Sequence, residues 1–537
     1  MRRILVSDDV SAACVDILKS NFEVDFRTNL SPDQLSDIAG KYDAWVVRSA
    51  TKITAKLIEK ADRLKIIGRA GAGVDNIDVD AATQRGIIVM NTPGGNTVST
   101  AEHTVAMILA LARSVPQADR SVRAGEWKKN KYTGTELFEK RLGIIGIGKV
   151  GREVATRMKS FNMEVVAFDP VYSQQEAIKI GVQLVSLEEL LQTSDFISVH
   201  TPLNKATENL LNKDSIGLCK KGVRLINCAR GGIIHEPSLA EAIRSGHVAG
   251  AALDVFTQEP PGEHELLSLP QVIATPHLGA STEEAQEKVA IQIAEQILDA
   301  FNGRTIRGAV NMMPLSSEIL SRSESLLTLS SRLGFVSGEL LKDSIQSVRL
   351  TYFGDILDHP TELLTRAYLG GLFGRMMENV NIINAPGIAT KHGVAVTEVR
   401  STEHQDFSQL ISAQVKSSNG EVTLAGTLYG KRDPRLVGID DYAFDSQLHG
   451  MLLKFSNDDK PGMIGRLGSI LGTHGINIAQ MALGRRGPGG KAMTILNVDQ
   501  EVKLDVQEEL SDNGFTDVCF IDLNKIPFPH ELRLHQE

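Results

Sequence analysis

Residues 141–169 read RLGIIGIGKVGREVATRMKSFNMEVVAFD. A short apolar strand, Leu142 to Ile145, runs into Gly146-Ile147-Gly148-Lys149-Val150-Gly151. Apolar residues then recur at Val150, Val154, Met158 and Phe161, the spacing of one helix face. A second apolar strand, Val165 to Phe168, ends on Asp169. The three glycines are those of a dinucleotide-binding turn. Gly146 permits the tight bend, Gly148 lets backbone approach a pyrophosphate, and Gly151 lets the helix pack close to the strand. The helix N-terminus offers unpaired N–H groups and about half a positive charge to phosphates. Asp169 stands where a carboxylate accepts hydrogen bonds from the adenosine ribose, and its charge repels a 2′-phosphate. NAD(H) is therefore expected over NADP(H). A glycine-rich turn alone is common; strand, helix, second strand and terminal Asp in register make this one specific.

The chain around this unit is 537 residues long, too long for one core, and three or four domains are expected. With 42% hydrophobic and 23% charged residues, the composition is that of a globular protein. The net charge of −9, without a long basic run, argues against nucleic acid as a main partner. The start, MRRILVSDDV, has a three-residue apolar run before charge returns, and is read as a first strand, not a signal peptide. No uninterrupted apolar run approaches the ~18 residues of a membrane span. Cys14, Cys219, Cys228 and Cys519 are scattered without CxxC or metal spacing; reduced thiols in a cytoplasmic protein, and no metal, are expected.

Before the dinucleotide unit, short apolar strands alternate with helical segments to about residue 96. The strands are Ile4–Val6, Phe22–Phe26, Ala44–Val47, Leu64–Ile67 and Ile87–Met90. That alternation predicts a parallel sheet with helices on both faces, and ligands beyond the carboxyl ends of its strands. Two strand ends carry suggestive loops: one holds Arg48, Ser49 and Lys52, the other the small-residue backbone of Gly71, Ala72 and Gly73. Taken alone, each is read more readily as an ordinary strand-to-helix turn. Asn96 to Ala118 reads as one long helix able to cross between domains, and Gly125 to Thr135 as a polar, basic loop.

After Asp169 the alternation resumes, with strand ends at His200-Thr201-Pro202, Asn227 to Gly231, Asp254-Val255-Phe256 and Thr275 to Gly279. Ser281-Thr282-Glu283-Glu284 fits a capping box opening a helix to about Phe301, stopped by Gly303. That helix is expected to return to the first domain. Residues 306–445 mix helices such as Glu362–Met377 with strands such as Val422–Tyr429, and lack a nucleotide fingerprint. They end on Gly430-Lys431-Arg432-Asp433-Pro434-Arg435, equally readable as a solvated turn or an anion site. Residues 450–525 read βαββαβ, a ferredoxin-like order with an edge available to a second copy.

Arg230, Glu259 and His277 fall on strand-end loops of the cofactor half, in NCARGG, ALDVFTQEPP and ATPHLGAST. A nicotinamide enzyme acting on a 2-hydroxy acid needs three groups. A planar guanidinium holds the carboxylate. A His takes the hydroxyl proton as hydride leaves. A carboxylate orients that His and stabilises its protonated form. The three residues fit those roles in that order.

At this point the chain resembles the D-isomer-specific 2-hydroxyacid dehydrogenase family, through GIGKVG (146–151), NCARGG (227–232), DVFTQEP (254–260) and HLGA (277–280). GKRDPR and DKPG…HGINIAQM further resemble the long family members that act on 3-phosphoglycerate. The resemblance implies two doubly wound α/β domains, substrate-binding (1–96 with 283–305) and NAD-binding (97–282). An α+β intervening domain (306–445) and a ferredoxin-like ACT regulatory domain (446–537) would follow. It implies NAD contacts at Gly146, Gly148, Lys149, Val150, Gly151, Asp169, Thr201, Cys228, Ala229, Arg230, Asp254, His277, Gly279 and Ala280. Substrate contacts are implied at Arg48, Ser49, Gly71, Ala72 and Gly73. The ACT match implies L-serine at a subunit interface, with Asp459 and Asn477 as candidates, in a homodimer or homotetramer. The implied activity is NAD-dependent oxidation of 3-phospho-D-glycerate. The alternatives are a glyoxylate or hydroxypyruvate reductase of the same family and a non-catalytic regulator that senses NAD. Phe138-Glu139-Lys140 departs from the Gly turn that many relatives carry before the cofactor strand.

Overall fold

The computed structural model describes residues 1–304, 306–313, 316–341, 343–377, 380–402, 406–430, 432–487 and 489–526, with Ser317 described by its backbone alone. Four sheets organise them. The first joins β1 (Arg3–Val6), β2 (Glu23–Phe26), β3 (Ala44–Val47), β4 (Ile66–Arg69) and β5 (Ile88–Met90), all parallel, in the order β2-β1-β3-β4-β5. Its pleat sends Ile4 and Val6 to one face and Leu5, between them, to the other. The helix Glu283–Phe301 returns from the far end of the second sheet to cover the first face with Val289, Ile293 and Ile297. It lies so close to β4 that a Cβ at Gly68 would sit 2.8 Å from Ile293 and Ile297.

The second sheet holds β6 (Arg141–Ile145), β7 (Glu164–Phe168), β8 (Gln183–Leu184), β9 (Phe196–Val199), β10 (Val223–Asn227), β11 (Val248–Leu253) and β12 (Val272–Ala274). All are parallel, in the order β12-β11-β10-β9-β6-β7-β8. The order reverses between β6 and β9, and that switch point opens a crevice at the carboxyl ends. Ile144 and Ile145 bury on opposite faces, as a sheet covered on both sides requires.

The third sheet comprises β13 (Ile345–Gly354), β14 (Ala395–Ser401), β15 (Gln409–Ser417), β16 (Glu421–Tyr429), β17 (Asp433–Ile439) and β18 (Tyr442–Gln447), in the order β14-β13-β15-β16-β17-β18. Only the β13–β14 pair is parallel. The fourth, β19 (Met451–Asp458), β20 (Ile478–Arg485), β21 (Lys491–Val498) and β22 (Phe515–Asp522), is antiparallel in the order β20-β21-β19-β22, the ferredoxin-like arrangement. Its helices cover one face through Leu453, Phe455 and Leu496; the other face packs into the core of the third sheet through Leu452, Ile495 and Ile521. Among the described residues no helix is long and apolar enough to cross a membrane.

Four local expectations change. The segment 96–118 is two helices, Thr97–Arg113 and Val115–Arg123, separated by Ser114 at φ 51°. Pro116 has no N–H for the preceding turn, and the Ala112 carbonyl accepts instead from Thr135 N at 2.9 Å. The helix after the glycine turn ends at Lys159, leaving Phe161 outside it and 41% exposed. The cap of the returning helix is Thr282, one residue later than the capping-box pattern, so its third position is Ala285, which has no acceptor to complete the box. In GKRDPR, Gly430 and Arg432 lie between β16 and β17 and Asp433–Arg435 open β17, so the motif is not the end of its region; Lys431 lies outside the described residues. Arg435 is spent on Asp433 and Asp445 and stacks on Tyr429, which removes it from an anion site.

The third sheet is backed by the helices Ser317–Leu341 and Thr361–Gly374, which cross at two glycines. A Cβ at Gly371 would fall on the Ser331 carbonyl, and one at Gly334 on that of Tyr368. Gly371→Ala is expected to force the helices apart at a cost of about 1–3 kcal/mol, read as a lower denaturation midpoint, whereas Gly387→Ala, with open space around it in the helix Ala385–Lys391, raises the midpoint slightly through helix propensity.

Candidate active site

The glycine turn sits at the switch point of the second sheet. Gly146 adopts φ 93°, and a Cβ there would stand 2.7 Å from the His200 carbonyl. A Cβ at Gly151 would strike the Gly146 carbonyl, so the first turn of the helix lies directly on the loop. Gly148, by contrast, faces open space. It caps the helix Lys149–Lys159 without any side-chain hydrogen bond, which leaves the N-terminal N–H groups for a ligand. Lys149 reaches over the turn to the Pro93 carbonyl at 3.2 Å, and Val150 opens the helix behind it. Asp169 Oδ2 accepts from Ile147 N and Oδ1 from Val171 N, both at 2.9 Å, so the carboxylate also holds the glycine turn in shape.

Thr201 Oγ1 is buried with no hydrogen-bond partner among the described residues, on the strand end beside this turn. An orphaned hydroxyl, an uncapped helix and an open glycine together fit a bound dinucleotide. Cys228 is buried, and burial pushes its thiol up to about 12, so it acts as a wall of the crevice and not as a nucleophile. Ala229 N donates to Asn227 Oδ1, and Asn227 Nδ2 to the Arg230 carbonyl, fixing the turn that presents Arg230.

His277 Nδ1 and Glu259 Oε2 are 2.8 Å apart, which leaves Nε2 free. His277 has φ 55°, a conformation that a non-glycine residue adopts only when its surroundings hold it. The holder is Asp254, 1% exposed. Its carboxylate accepts from Leu278 N at 2.7 Å, Gly279 N at 2.8 Å and the Thr275 hydroxyl at 2.6 Å, and its carbonyl from His277 N. Ala280 follows in the same turn. Burial pushes the Asp254 carboxyl up, but bonds from His103, Thr275 and Leu278 outweigh it and hold it below its ordinary value. Burial likewise raises Glu259, and its bonds from His277 and Phe256 N bring it below the usual range.

The first sheet supplies the opposite wall. Asp8 accepts from the N–H groups of Arg48, Ala50 and Thr51, shaping the loop that carries Arg48 and the exposed Ser49. Gly71 N donates to Thr92 Oγ1, and the Ala72 carbonyl accepts from Asn91. Gly73 abuts Arg230: a Cβ there would fall on Nη2. Arg230 Nε lies 3.1 Å from Asp75, bridging the two sheets. One residue escaped the sequence reading. Arg69, at the end of β4, bonds Asn76, and its pKa is lowered by burial, then by repulsion from Arg230, with Arg48 adding to it. Arg230 and Arg48 are thus two cations whose charge reaches Arg69. The available signal was Arg69's place at the carboxyl end of a parallel strand, in a loop considered only for its glycines.

The two effector candidates are not brought together within one chain. Asp459 follows β19 and bonds Arg485 and Gly489 at one end of the fourth sheet. Asn477 precedes β20 and bonds Asp499 at the other, about 23 Å away at 3.3 Å per strand residue.

Residues 105–279 match the NAD binding domain of D-isomer specific 2-hydroxyacid dehydrogenases, 323–440 the D-3-phosphoglycerate dehydrogenase intervening domain, and 451–515 the ACT domain. The D-3-phosphoglycerate dehydrogenase of Bacillus subtilis (strain 168) is 42% identical over 529 residues, 98% of this chain and 100% of the relative. The chain belongs to the D-3-phosphoglycerate dehydrogenase family. The family member from Archaeoglobus fulgidus is 43% identical over 97% of this chain and 100% of its own. Two solved structures are similar over a smaller part. A glyoxylate reductase from Paecilomyes thermophila is 30% identical with a TM-score of 0.53, over 59% of this chain and 99% of its own. An NAD-dependent formate dehydrogenase from Staphylococcus aureus in complex with NAD is 30% identical with a TM-score of 0.51, over 56% and 96%.

His200, bonded to Ser198 at 2.8 Å, is pushed by burial from 6.5 down to about 4. The unfolded chain therefore takes up this proton first, and stability falls as pH drops from about 6.5 to about 4. His200→Asn is expected to flatten that part of the thermal-midpoint profile relative to the parent enzyme.

Proposed function

We propose that this family member oxidises 3-phospho-D-glycerate to 3-phosphohydroxypyruvate with NAD, the entry to L-serine formation. One observation carries the choice of substrate: Arg69 of the first sheet lies in the field of both Arg230 of the second sheet and Arg48 of its own. A substrate with a carboxylate at one end and a phosphate at the other needs more than one cation, and planar guanidinium groups bind both. The carboxylate is held where Arg230 Nη2 meets the Gly71–Gly73 backbone, and Arg48 and Arg69 neutralise the rest of the negative charge. Ser49, at the rim of the Arg48 loop, completes that wall.

His277 Nε2 takes the proton of the C2 hydroxyl. That O–H pair becomes the second bond of the carbonyl as hydride leaves C2. Glu259, on Nδ1, keeps the proton of the neutral ring on that nitrogen and then stabilises the imidazolium. When bound, NAD supplies the hydride acceptor. Its adenosine half would lie on Asp169, its pyrophosphate on Gly148 and the helix start, and its nicotinamide near Thr201, Cys228 and Ala229.

The cleft lies between residues 97–282 and a substrate-binding domain of 1–96 with 283–305; regions 306–445 and 446–537 are regulatory in this reading. The serine site forms only when two copies meet, because Asp459 and Asn477 stand at opposite ends of one sheet. A two-fold places one copy's Asp459 beside the other's Asn477. The protein is accordingly a homodimer or homotetramer of the cytoplasm. A glyoxylate or hydroxypyruvate reductase is less favoured: the glyoxylate reductase matches 59% of this chain, the Bacillus relative 98%.

Purified enzyme with NAD and 3-phosphoglycerate is expected to produce NADH, more slowly when L-serine is added. Absence of NADH, with the reverse reaction also silent, removes the assignment; a better rate with glyoxylate moves it to the reductase. His277→Ala is expected to lose about 10²–10⁴-fold in kcat while still binding NADH. Asp169→Ala should narrow the preference for NAD over NADP and weaken both, since Ile147 N loses its acceptor.

A further inference from the structure

Glu259 sits on a run without regular structure, from Asp254 to His264, between β11 and a short 3₁₀ turn at Glu265–Ser268. Such a loop cannot hold a carboxylate to a fixed imidazole unless something outside it holds the loop. Asp254 secures its first residue, but its bonds run to the His277 loop. The fixture nearest Glu259 is a side chain from elsewhere in the chain. Glu236, at the start of the helix Glu236–Arg244 that follows the Arg230 turn, reaches across. Its Oε1 accepts from Thr257 N at 2.7 Å and from the Thr257 hydroxyl at 2.9 Å. Its Oε2 meets His264 Nε2 at 2.9 Å. The side chain is 14% exposed, and its charge is further met by the helix N-terminus.

The tautomer of His264 follows from its other contact. Leu266 N donates to Nδ1 at 3.3 Å, so Nδ1 carries no proton and Nε2–H donates to Glu236. The His264 ring also packs edge-on against Phe256, with centroids 5.6 Å apart. Phe256 N in turn donates to Glu259 Oε1 at 3.1 Å. Glu236 therefore holds Thr257, His264 supports both Glu236 and Phe256, and the Phe256–Thr257 step delivers Glu259 to His277. A Cβ at Gly231 would collide with the Phe256 carbonyl, so the Arg230 turn presses on the same step from behind. Glu236 thus ties the loop of the carboxylate-binding arginine to the loop of the base's partner.

We infer that Glu236, supported by His264, is a positioning residue that sets the Glu259–His277 pair and touches neither substrate nor cofactor. The inference rests on the reading of Glu259 and His277 as the proton-handling pair. A displacement of about 1 Å in such a pair can cost on the order of 10²-fold in rate. Removing Glu236 is therefore expected to act on kcat, through Glu259 alone.

The test is a double-mutant cycle on the full-length enzyme, read by steady-state kinetics and by NADH fluorescence titration. Glu236→Ala is expected to lower kcat by about 10- to 100-fold, with the NADH dissociation constant and the KM for 3-phosphoglycerate within about threefold of the parent. Glu236→Gln keeps an Oε1 acceptor for Thr257 but sets an amide N–H against His264 Nε2–H, and should recover kcat in part, above Glu236→Ala. In a Glu259→Gln background, Glu236→Ala should have almost no further effect, because the group it positions is already disabled. Full additivity of the two losses overturns the inference, as does a kcat loss matched by an equal loss of NADH affinity. Glu259→Gln alone at parental kcat instead overturns the underlying assignment of the pair. If Glu236→Ala does not fold, His264→Ala against His264→Asn serves the same cycle. Asparagine retains an N–H donor toward Glu236 and should be the more active; equal activity of the two overturns the inference.

Discussion

Parallel strands end in loops whose N–H groups have no partner strand, and in this chain carboxylates take them. Asp8 accepts from Arg48, Ala50 and Thr51. Asp169 accepts from Ile147 and Val171. Asp254 accepts from Leu278 and Gly279, Glu259 from Phe256, and Glu236 from Thr257. An ionised acceptor on a backbone N–H makes a hydrogen bond roughly twice as strong as a neutral one, so each loop gains a fixed shape without regular structure. The Arg48, glycine-turn, Glu259 and His277 loops are held this way, while the Arg230 turn is fixed by the Asn227 amide. The fold supplies the place, the carboxyl edge of two sheets, and the carboxylates supply the rigidity.

That arrangement also separates charge by task. The anionic groups turn toward the backbone, and Asp254 at 1% exposure is the most deeply buried of them. The charges of Arg48 and Arg230, one from each sheet, both reach Arg69, and that repulsion is a standing cost that an anionic ligand relieves. The Arg230–Asp75 ion pair joins the loops of the two sheets and holds the walls in register. Because Arg230 Nη2 lies against Gly73, a side chain at Gly73 would close that corner of the site.

The C-terminal half is built on different physics. Its sheets are mostly antiparallel, and the fourth packs one face into the core of the third, so the two form a continuous apolar unit. That core continues into the first sheet through Ile4, Val6 and the helix Glu283–Phe301. The same contact surface carries polar ties, from Asn381 to the Gly86 carbonyl and from Asn384 to that of Gln84. Gln84 and Gly86 lie where the helix Val79–Gln84 leads back into β5, which places the C-terminal half against the amino edge of the first sheet, opposite the cleft.

Much of this was legible in the order of residues. The glycines at 146, 148 and 151 have backbone requirements that only a strand–turn–helix satisfies, and Asp169 lies a fixed distance along the same unit. The βαββαβ order of 450–525 follows from periodicity alone. Arg230, Glu259 and His277 stood out because each follows an apolar strand, where a parallel sheet must place its site. Local periodicity could not show which partners distant side chains would find. Arg435, one of a run of cations, is neutralised by Asp433 and Asp445 across a hairpin. Arg69 looked like a turn residue until folding brought it beside Arg230, 161 positions later in the chain. Nothing in the local pattern singles out Glu236 or His264, whose bond joins residues 28 apart. Backbone preference and strand order are local properties, written in runs of a few residues. Electrostatic partnership depends on distance in space, and only the packed sheets set that distance.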